Sequence, residues 1–505
     1  MHPFFRLIGL LLIAQGAALL FCLIPAIHFH DGTAQQILFA GLLIIGIGTF
    51  IATLNLTYDR FLTARFSRNR YIAKLQSAIV TSSKKRANTP GYLTVLLVWF
   101  TLVLFGSLPF LMTKVVPSFC DAFFESMSGF TTTGATIFSS VQHLPASILL
   151  WRSISQWVGG FGIVLLVLAV TPSLGINKYS LYTAEASMAD NSGHNFSTTA
   201  TTLRQTLTVY VLLTLLFILL FLGSGMNLWD AVNITFSNIS SGGFSIYDNS
   251  AAALTPIQQL ILTATMFCSG INFALIFNLF TFRWRQSRGK LEQFRCYIFI
   301  LAVASAFVSF ALHYTQHIPL TNAFRLGLAQ TTSVLTTTGT IFADTSLWWQ
   351  PITFLFLFLS LCGGMAGSTS GGIKIMRLII LIRNVRNDLQ RRLHPNAIHP
   401  VRLNGKPVPQ PLIDNVMVIF IIYAITLIVG VLCLMLCDVG ATQAVGAVVS
   451  CLSGYGPGLG PSGGFGNYAH FPAIAKWFCS LIMIAGRLEC STLIIVLFPQ
   501  FYKKR

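Results

Sequence analysis

Long apolar runs alternate with short polar segments along all 505 residues of this chain. A helix needs about 20 consecutive apolar residues to cross a bilayer, and the pattern predicts about ten such helices. The fold class predicted is therefore an all-α polytopic membrane protein. The first run is longer than the apolar core of a signal peptide, so we expect it to stay in the protein as an anchor. The predicted spans lie near residues 7–27, 36–56, 92–113, 150–171, 206–226, 257–281, 296–314, 351–383, 415–437 and 475–500.

Four polar segments that end in glycine interrupt these runs. They are Thr131-Thr132-Thr133-Gly134, Ile239-Ser240-Ser241-Gly242, Thr336-Thr337-Thr338-Gly339 and Ser453-Gly454-Tyr455-Gly456. The glycines recur about every 100 residues, and such a period indicates four copies of one unit around one axis. Loops of Thr, Ser and Gly can direct backbone carbonyls at a dehydrated cation, which is how ion selectivity filters work.

A short amphipathic stretch precedes each polar loop. About a dozen residues are too few to cross a membrane, so these stretches are predicted to be half-helices. Asp121 and Asp230 each open one of them as a predicted N-cap. The partially negative C-terminal end of each half-helix would then point towards its loop and favour a cation there. The stretches cover Asp121–Phe130, Asp230–Ile239, Phe324–Leu335 and Thr442–Leu452.

An ordinary surface loop is the alternative interpretation of any single polar segment. Four segments with the same preceding half-helix and the same glycine favour the filter instead. Irregular backbone at membrane depth is tolerated only where protein buries it or where it lines a wet cavity. We therefore predict four re-entrant half-helices around a fourfold pseudosymmetric pore similar to that of K⁺ channels.

The composition excludes a soluble domain, because only 9% of residues are charged and the mean hydropathy is +0.72. The net charge of +18 is explained by topology rather than by nucleic acid binding, because threading ten spans puts the basic segments on one side. Both termini are then predicted to be cytoplasmic. The basic segments contain Arg60, Arg65, Arg68, Arg70, Lys74, Lys84, Lys85, Arg86, Arg283, Arg285, Arg288, Lys290, Arg295, Arg383, Arg386, Arg391, Arg392, Arg402, Lys406, Lys503, Lys504 and Arg505. The opposite side carries Asp121, Glu125, Asp230, Asp248, Asp344 and Asp438, which favour cations at an entrance.

The residue types needed for catalysis are sparse. The ten cysteines form no CxxC pair, the histidines have no metal-ligand spacing, and the 14 acidic residues are scattered. A membrane-embedded enzyme is therefore disfavoured, and no organic cofactor is expected on this chain. No glycine fingerprint follows a soluble strand, so the chain is predicted to lack a nucleotide-binding domain of its own.

Glycines are unusually dense in the span predicted at 351–383. Gly363, Gly364, Gly367, Gly371 and Gly372 fall within ten residues, and Lys374 follows them. A helix interior with so many glycines would be unfavourable. A packing face of the GxxxG kind is the alternative, but such faces repeat every fourth residue instead of clustering. We predict a break in the helix, forming a flexible loop that could occlude a pathway beneath the filter.

Arg487 is predicted to lie near the middle of the bilayer, because it is 11 residues after Lys476 and 16 before Lys503. An arginine at that depth usually faces a cavity or a partner. A structural pair with Glu489 is the alternative. Residues two apart on a helix point to different faces, which makes that pair a poor one.

The repeat and its surroundings resemble the Trk/Ktr/HKT superfamily of potassium transporters, and most closely the bacterial TrkH/TrkG type. The likeness covers nearly the whole chain, including the extra N-terminal helix pair of that type. The matching blocks are Ser128-Gly129-Phe130-Thr131-Thr132-Thr133-Gly134-Ala135-Thr136, Trp151-Arg152, Gln156-Trp157-Val158-Gly159-Gly160, Ser241-Gly242-Gly243-Phe244-Ser245, Ile271-Asn272-Phe273-Ala274-Leu275, Ala366-Gly367-Ser368-Thr369, Gly456-Pro457-Gly458-Leu459-Gly460 and Gly486-Arg487-Leu488-Glu489.

The resemblance implies that carbonyl oxygens around each filter glycine coordinate K⁺. Carried over by position, the filter residues are Thr132, Thr133, Gly134, Ser240, Ser241, Gly242, Thr337, Thr338, Gly339, Gly454, Tyr455 and Gly456. Glycine in all four loops resembles the K⁺-passing members, whereas serine in the first loop marks plant relatives that pass Na⁺. Thr340 and Gly454 depart from the residues common in the family, which affects the expected stringency of the filter.

The resemblance also implies the remaining assignments. They are uptake of K⁺ across the bacterial inner membrane, with K⁺:H⁺ symport or passage of Na⁺ as alternatives, a gating loop at 363–372, and a pore barrier at Arg487. The implied partners are a second copy of the chain and a separate cytoplasmic TrkA-type subunit that binds nucleotide. The predicted organisation is an N-terminal transmembrane hairpin (1–60), a basic cytoplasmic loop (61–90) and four pore repeats (91–204, 205–290, 291–400 and 401–505).

Overall fold

The computed structural model describes residues 2–66, 90–173, 196–282, 291–394 and 400–488, together with Cys490. Glu489, most of the predicted basic loop at 61–90, the basic segment at 283–290 and the end of the last predicted span lie outside the described residues. The helices are α1 (His2–Leu20), α2 (Leu23–His28), α3 (Ala34–Phe66), α4 (Pro90–Gly106), α5 (Leu108–Met112), α6 (Phe119–Phe130), α7 (Ala146–Ser173), α8 (Phe196–Gly223), α9 (Leu228–Ile239), α10 (Pro256–Ser269), α11 (Phe273–Phe280), α12 (Leu291–Gln316), α13 (Leu320–Leu335), α14 (Gln350–Cys362), α15 (Ile375–Leu393), α16 (Gln410–Met435), α17 (Ala441–Ser453) and α18 (Ala473–Arg487). A two-stranded antiparallel hairpin, β1 (Arg402–Leu403) and β2 (Lys406–Pro407), connects α15 to α16.

Several of these helices are long and apolar enough to cross a membrane. Within the described ranges there are six by this measure, or up to seven if the bent pair α10 and α11 counts as one span. The spans are Phe5–His28, Ala34–Thr53, Leu93–Met112, Arg204–Gly223, Leu291–Gln316 and Gln410–Met435. The chain is therefore a helical, multi-pass membrane protein.

Four short helices, α6, α9, α13 and α17, occupy the stretches predicted to be half-helices. α6 begins at Phe119, α9 at Leu228 and α17 at Ala441, close to the predicted starts. α13 begins at Leu320 instead of Phe324 and has 16 residues. Each of the four ends at its polar loop.

Asp121 and Asp230 are not the N-caps of their helices, contrary to the prediction. Ser118 and Asn227 adopt extended backbone at those positions, so each helix starts earlier. The Asn227 side chain accepts a hydrogen bond from the Asp230 amide at 2.7 Å. Asp121 instead accepts a 2.6 Å bond from the Lys476 ammonium group on α18. Both carboxylates still lie in the first helical turn, where the helix dipole favours negative charge.

The predicted spans at 257–281 and 351–383 are both interrupted. α10 and α11 meet at an angle of 105°, which corrects the continuous span predicted at 257–281. Asn272 caps α11 by accepting a hydrogen bond from the Leu275 amide. The second run stops at Cys362 and resumes at Ile375, so the predicted break in the glycine-rich segment is confirmed.

Two large apolar cores hold these helices together. One joins α1, α3, α4, α6 and α7 to α16, α17 and α18. The other joins α8 to α11–α15 and the start of α16. The last short helix, α17, therefore shares a core with the first, α6, so the four short helices form a closed arrangement instead of an open row.

Glycines allow the short helices to approach their neighbours closely. A Cβ atom placed on Gly159 of α7 would lie 2.0 Å from the Phe130 carbonyl oxygen at the end of α6. A Cβ on Gly486 of α18 would lie 2.1 Å from the Leu452 carbonyl oxygen near the end of α17. Such distances are far below van der Waals contact, so larger residues at these positions would displace the short helices and their loops.

Candidate functional site

The four polar loops share one unusual backbone conformation. In each loop two residues separated by one position have positive φ angles between +53° and +97°. Non-glycine residues seldom adopt such angles, and their recurrence indicates a tightly constrained local structure. The residue pairs are Thr132 and Gly134, Ser241 and Gly243, Thr337 and Gly339, and Gly454 and Gly456.

A repeated serine fixes each loop to its helix. The amide of the residue between the two positive-φ positions donates to a serine carbonyl five residues earlier in the chain. These hydrogen bonds join Thr133 to Ser128 at 2.9 Å, Gly242 to Ser237 at 2.8 Å, Thr338 to Ser333 at 2.9 Å and Tyr455 to Ser450 at 3.0 Å. Serine at this fixed spacing before each loop is the sequence signal from which this hydrogen bond could have been predicted.

The backbone corrects the register of the second loop by one residue. Gly243, with φ +75°, occupies the place that Gly134 has in the first loop, and Gly242 takes the place of Thr133. Ser240 is the C-cap of α9, as Thr131 is of α6. The predicted filter residues Ser240, Ser241 and Gly242 are therefore one position too early, and Ser241, Gly242 and Gly243 correspond to Thr132, Thr133 and Gly134. The two adjacent glycines leave this register ambiguous in the sequence.

The loops form a closed ring, and each glycine packs against the backbone of the next loop. A Cβ on Gly134 would lie 2.1 Å from the Gly242 carbonyl oxygen. A Cβ on Gly243 would lie 1.8 Å from that of Thr338. A Cβ on Gly339 would lie 1.9 Å from the Tyr455 carbonyl oxygen, and a Cβ on Gly456 would lie 2.6 Å from the Thr133 carbonyl oxygen, which closes the series. No side chain fits at any of these four positions without moving a neighbouring loop.

A cavity of about 90 Å³ opens above this ring, and we name it the vestibule. Gly134, Gly243, Gly339 and Gly456 all line it, whereas Gly242 does not. Polar residues form much of its remaining wall, including Thr136, Ser139, Ser245, Asp248, Ser250 and Ser462. The vestibule thus leads onto the ring along the side lined by its four equivalent glycines.

Side chains behind the ring hold individual loops. The Gln156 amide group on α7 donates to the Gly242 carbonyl at 2.8 Å and accepts from the Phe244 amide at 3.1 Å. The Tyr468 hydroxyl donates to the Gly456 carbonyl at 3.0 Å. The Tyr468 amide donates to the Thr136 carbonyl at 2.8 Å, which ties the fourth loop to the first.

Asp248 fastens the second loop to the segment that follows the first. Its carboxylate accepts hydrogen bonds from the Val141 amide at 2.6 Å, the Ser140 hydroxyl at 2.8 Å and the Gln142 amide at 3.3 Å. Burial alone would raise the pKa of Asp248. These bonds and the nearby charge of His143 outweigh it and lower the pKa below the ordinary value of 3.8.

We predict that Asp248 makes the wall of the vestibule sensitive to acid. Because its pKa is lower in the folded state, the carboxylate contributes stability above about pH 3.8, and this contribution is lost as the pH falls through the folded pKa. Asp248→Asn should lower the melting temperature near neutral pH and reduce its further fall on acidification. Melting curves of the purified protein over acidic and neutral buffers would measure this, with Asp388→Asn, at an exposed pair, as control. A pH profile parallel to that of the unaltered protein would contradict the prediction.

The glycine-rich loop at 363–372 contacts three of the four polar loops. The Gly371 amide donates to the Thr337 hydroxyl at 2.6 Å, and the Gly372 amide donates to the Ser453 carbonyl at 2.9 Å. The Thr369 and Ser241 hydroxyls are hydrogen-bonded at 2.9 Å. The loop therefore lies directly against the ring.

The two helix breaks interlock. The Met365 amide donates to the Gly270 carbonyl at 3.0 Å, and the Phe273 amide donates to the Gly367 carbonyl at 3.2 Å. The Asn272 side chain donates to the Ala366 carbonyl at 2.5 Å. The bend between α10 and α11 thus holds the glycine-rich loop in place. The sequence pattern did not predict this role, although Asn272 lies in one of the blocks that resemble the family.

The other predicted gate residues shape the same loop. Gly363, Gly367 and Gly372 have positive φ angles of 69°, 78° and 71°. A Cβ on Gly363 would lie 2.2 Å from the Gly371 carbonyl oxygen, and one on Gly364 would lie 2.4 Å from the Ser370 hydroxyl, so the loop folds tightly on itself.

Lys374 and Arg487 bond to the carbonyls of this loop. Lys374 precedes α15, and its ammonium group donates to the Ser370 carbonyl. Arg487 is the last residue of α18, and its guanidinium donates to the Thr369 carbonyl at 3.2 Å and to the Gly159 carbonyl at 3.0 Å. Arg487 thereby links the glycine-rich loop to α7.

Comparison with known proteins matches this architecture to one family. The family model for TrkH, described as a cation transport protein, matches residues 66–502. The Trk system potassium uptake protein TrkH of Vibrio parahaemolyticus is 36% identical over 430 residues, covering 82% of this chain and 86% of that protein. The protein of the same name from Halomonas elongata is 30% identical over 508 residues, covering 99% and 98% of the two chains.

A solved structure shares the complete fold. The crystal structure of the potassium transporter TrkH from Vibrio parahaemolyticus gives a TM-score of 0.83 at 30% sequence identity and covers 99% of both chains. The description of the matched family is that of a transporter and not of an enzyme. The chain therefore belongs to the TrkH family of cation transport proteins.

Proposed function

We propose that this protein takes up K⁺ across the bacterial inner membrane through a selectivity filter formed by the four polar loops. The closed ring of backbone contacts between the loops is the observation that carries the proposal. A dehydrated K⁺ ion needs carbonyl oxygens in place of its water shell, and rings of backbone carbonyls supply them in cation filters. The names of the relatives, which are potassium uptake proteins, support K⁺ as the ion transported.

Four similar units around one axis would build this filter. We assign them to residues 91–204, 205–290, 291–400 and 401–505, after the hairpin at 1–60 and the basic loop at 61–90. The α6, α9, α13 and α17 helices end at the ring, so their partially negative C-termini favour a cation there. The proposed filter residues are those of the predicted set, with Ser241, Gly242 and Gly243 as the register in the second loop.

The charge distribution supports an orientation with the vestibule facing outward. The vestibule wall contains the Asp248 carboxylate and the Arg152 guanidinium, and the charge of Arg152 is paired with the buried Glu125 carboxylate. Among the lining residues this leaves Asp248 to attract a cation. On α15, which follows the glycine-rich loop, basic residues are grouped as expected for a cytoplasmic segment. Both termini would then be cytoplasmic. An inside-negative potential of about 100 mV contributes about 2.3 kcal/mol per K⁺ ion to uptake.

The glycine-rich loop and Arg487 are proposed to gate the pathway. The loop is bonded to the filter loops through Gly371, Gly372 and Thr369, and Arg487 is bonded to the loop. A positively charged group below the filter would repel a passing cation. Release of the loop would open the path on the side away from the vestibule.

Uptake of radiolabelled Rb⁺ into proteoliposomes tests the proposed function. With an inside-negative potential, we expect uptake that excess K⁺ competes away and that excess Na⁺ or Li⁺ reduces much less. Equal competition by Na⁺ would instead indicate a poorly selective cation transporter on the same fold. A second set of vesicles with an imposed pH gradient and no potential would distinguish K⁺:H⁺ symport from potential-driven flux. Absence of Rb⁺ uptake by well-folded protein would contradict the proposal.

The family resemblance supports two further partners. We propose that the protein works as a homodimer and binds a separate cytoplasmic subunit of the nucleotide-binding TrkA type. Ile382, Val385, Leu389 and Leu393 leave an exposed apolar strip on the basic helix α15, a surface compatible with such contacts. The mass of the detergent-purified protein, alone and mixed with that subunit, would test both assignments.

A further inference from the structure

A buried ion pair lies beside the ring, and its arginine is among the residues that line the vestibule. Arg152 on α7 and Glu125 on α6 have side chains that are 2% and 0% exposed, and the Arg152 Nε atom lies 2.8 Å from a Glu125 carboxylate oxygen. A buried ion pair is a weak source of stability, because removing two charges from water offsets most of their attraction. Its specific geometry therefore calls for an explanation beyond packing.

Glu125 holds the segment after the first loop, whereas Arg152 bonds to the segments after both loops, donating to the Thr136 hydroxyl at 3.3 Å as well as to the second loop. The Glu125 carboxylate accepts hydrogen bonds from the Ile137 amide at 3.0 Å and the Thr136 hydroxyl at 3.1 Å, just after the first loop. The Arg152 guanidinium donates to the Ser245 carbonyl at 3.1 Å, just after the second loop. The pair therefore connects the segments on which Gly134 and Gly243 sit.

Aromatic stacking fixes the guanidinium plane as well. Its central carbon lies 4.0 Å from the centre of the Phe244 ring and 5.6 Å from that of Phe138. Phe244 immediately follows Gly243 and is only 4% exposed. A planar guanidinium can stack on a ring and donate in a fixed fork at the same time, which a lysine ammonium cannot do.

The third unit has an uncharged residue at the position of Glu125, and it shows which contacts do not need the charge. Gln330 occupies the corresponding place, since its side-chain oxygen accepts from the Phe342 amide at 3.0 Å, twelve residues ahead, as Glu125 accepts from Ile137. A neutral amide is thus sufficient to hold the segment after a loop to its own half-helix. The second and fourth units carry Ile234 and Ala447 there, which have no polar group. We infer that the charge of Glu125 is needed to pair with Arg152, and that Arg152 in turn holds the second loop through its bond to Ser245.

We propose that Arg152 is a positioning residue for cation discrimination, and that it sets the distance between the first and second loops of the ring. The proposal rests on the proposed function of the ring as a selectivity filter. K⁺ and Na⁺ differ little in radius, so discrimination depends on where the carbonyls are held. Gly134 already packs against the Gly242 carbonyl, and a shift of the second loop would change the opening at that contact.

Arg152→Lys is the decisive variant. Lysine can keep the ion pair with Glu125, but it loses the separate donors to Ser245 and Thr136 and the stacking on Phe244. We expect the Rb⁺ over Na⁺ uptake ratio in proteoliposomes to fall by about tenfold, equivalent to about 1.4 kcal/mol of discrimination. Total cation uptake should be retained. A matched control is Arg325→Lys on α13, whose guanidinium bonds to Gln259 and Asn322 away from the ring and whose substitution should leave the ratio unchanged.

A second variant covers the case in which Arg152→Lys does not fold. Phe244→Leu keeps an apolar side chain but removes the ring against which the guanidinium stacks. Phe244→Leu should also lower the Rb⁺ over Na⁺ uptake ratio. A wild-type ratio in folded Arg152→Lys, or in Phe244→Leu where the first variant is lost, overturns the role of Arg152. Failure of ring-glycine variants to change the ratio overturns the filter itself, so the two proposals fail separately.

Discussion

Replacing Gly243 with serine is expected to abolish most of the preference for Rb⁺ over Na⁺. A Cβ at this position would lie 1.8 Å from the Thr338 carbonyl oxygen, and the φ angle of +75° is strained for any residue with a side chain. The second loop, the third loop or both must therefore move. Gly134→Ser should act in the same way, because its Cβ would lie 2.1 Å from the Gly242 carbonyl oxygen.

Gly242→Ser provides the comparison that tests the register. A Cβ on Gly242 would meet the Gln156 side chain at 2.4 Å instead of the backbone of another loop, and Gly242 does not line the vestibule. Because a side chain can shift more readily than a loop, this variant should lose less selectivity than Gly243→Ser. Gly440→Ser is the control, since Gly440 has φ −57° and no atom within 4 Å of an added Cβ. Competition of Na⁺ against Rb⁺ uptake measures all three. Equal losses at Gly242 and Gly243 would show that the register is wrong.

Local sequence pattern predicted the short helices and their loops well. The alternation of apolar and polar residues and the terminal glycines depend on neighbours within one unit, so they are visible in the sequence. The end of α6 at Phe130 and the end of α9 at Ile239 coincide with the predicted ends. Their beginnings were misplaced because Asp121 and Asp230 are good caps by residue type, whereas Ser118 and Asn227 take the cap positions in the fold.

Contacts between units could not be predicted in the same way. The bend at Gly270 to Asn272 lies in a run that is apolar enough to span a membrane. What stabilises the bend is the glycine-rich loop of the following unit, through hydrogen bonds to Gly270 and from Asn272. Residues almost 100 positions apart supply these bonds, so no local pattern reveals them.

The glycine-rich loop also shows the difference between local patterns, which could be predicted, and contacts between distant residues, which could not. The density of glycines between Gly363 and Gly372 was sufficient to predict a break, because glycine disfavours helix wherever it is concentrated. The partners of that loop, Thr337, Ser453 and Ser241, became apparent only in the fold. The buried pair of Arg152 and Glu125 was likewise not evident, because its members are 27 positions apart in the sequence with the first polar loop between them.

Arg487→Ala is expected to raise the rate of Rb⁺ uptake substantially. At an effective dielectric constant of about 20, like charges about 4 Å apart repel by about 4 kcal/mol, and more distant charges repel proportionately less. Removing the charge should therefore speed passage by roughly tenfold or more. The substitution also removes the hydrogen bonds from Arg487 to Thr369 and Gly159. The glycine-rich loop would then keep its bonds to the polar loops, to Lys374 and to the bend between α10 and α11, but would lose its link to α7.

Arg487→Lys separates these two effects. Lysine keeps the positive charge, but a single ammonium group cannot span two carbonyls in the fixed geometry of a guanidinium. If charge is the main barrier, Arg487→Lys should retain slow uptake, whereas if the link to the loop dominates, it should approach the rate of Arg487→Ala. Initial rates at equal reconstituted protein, with melting temperatures to verify folding, distinguish the two. An Arg487→Ala protein with the unaltered rate would remove this residue from the gate. In that case the barrier would lie with the loop alone, and shortening the segment from Gly363 to Gly372 should still increase the flux.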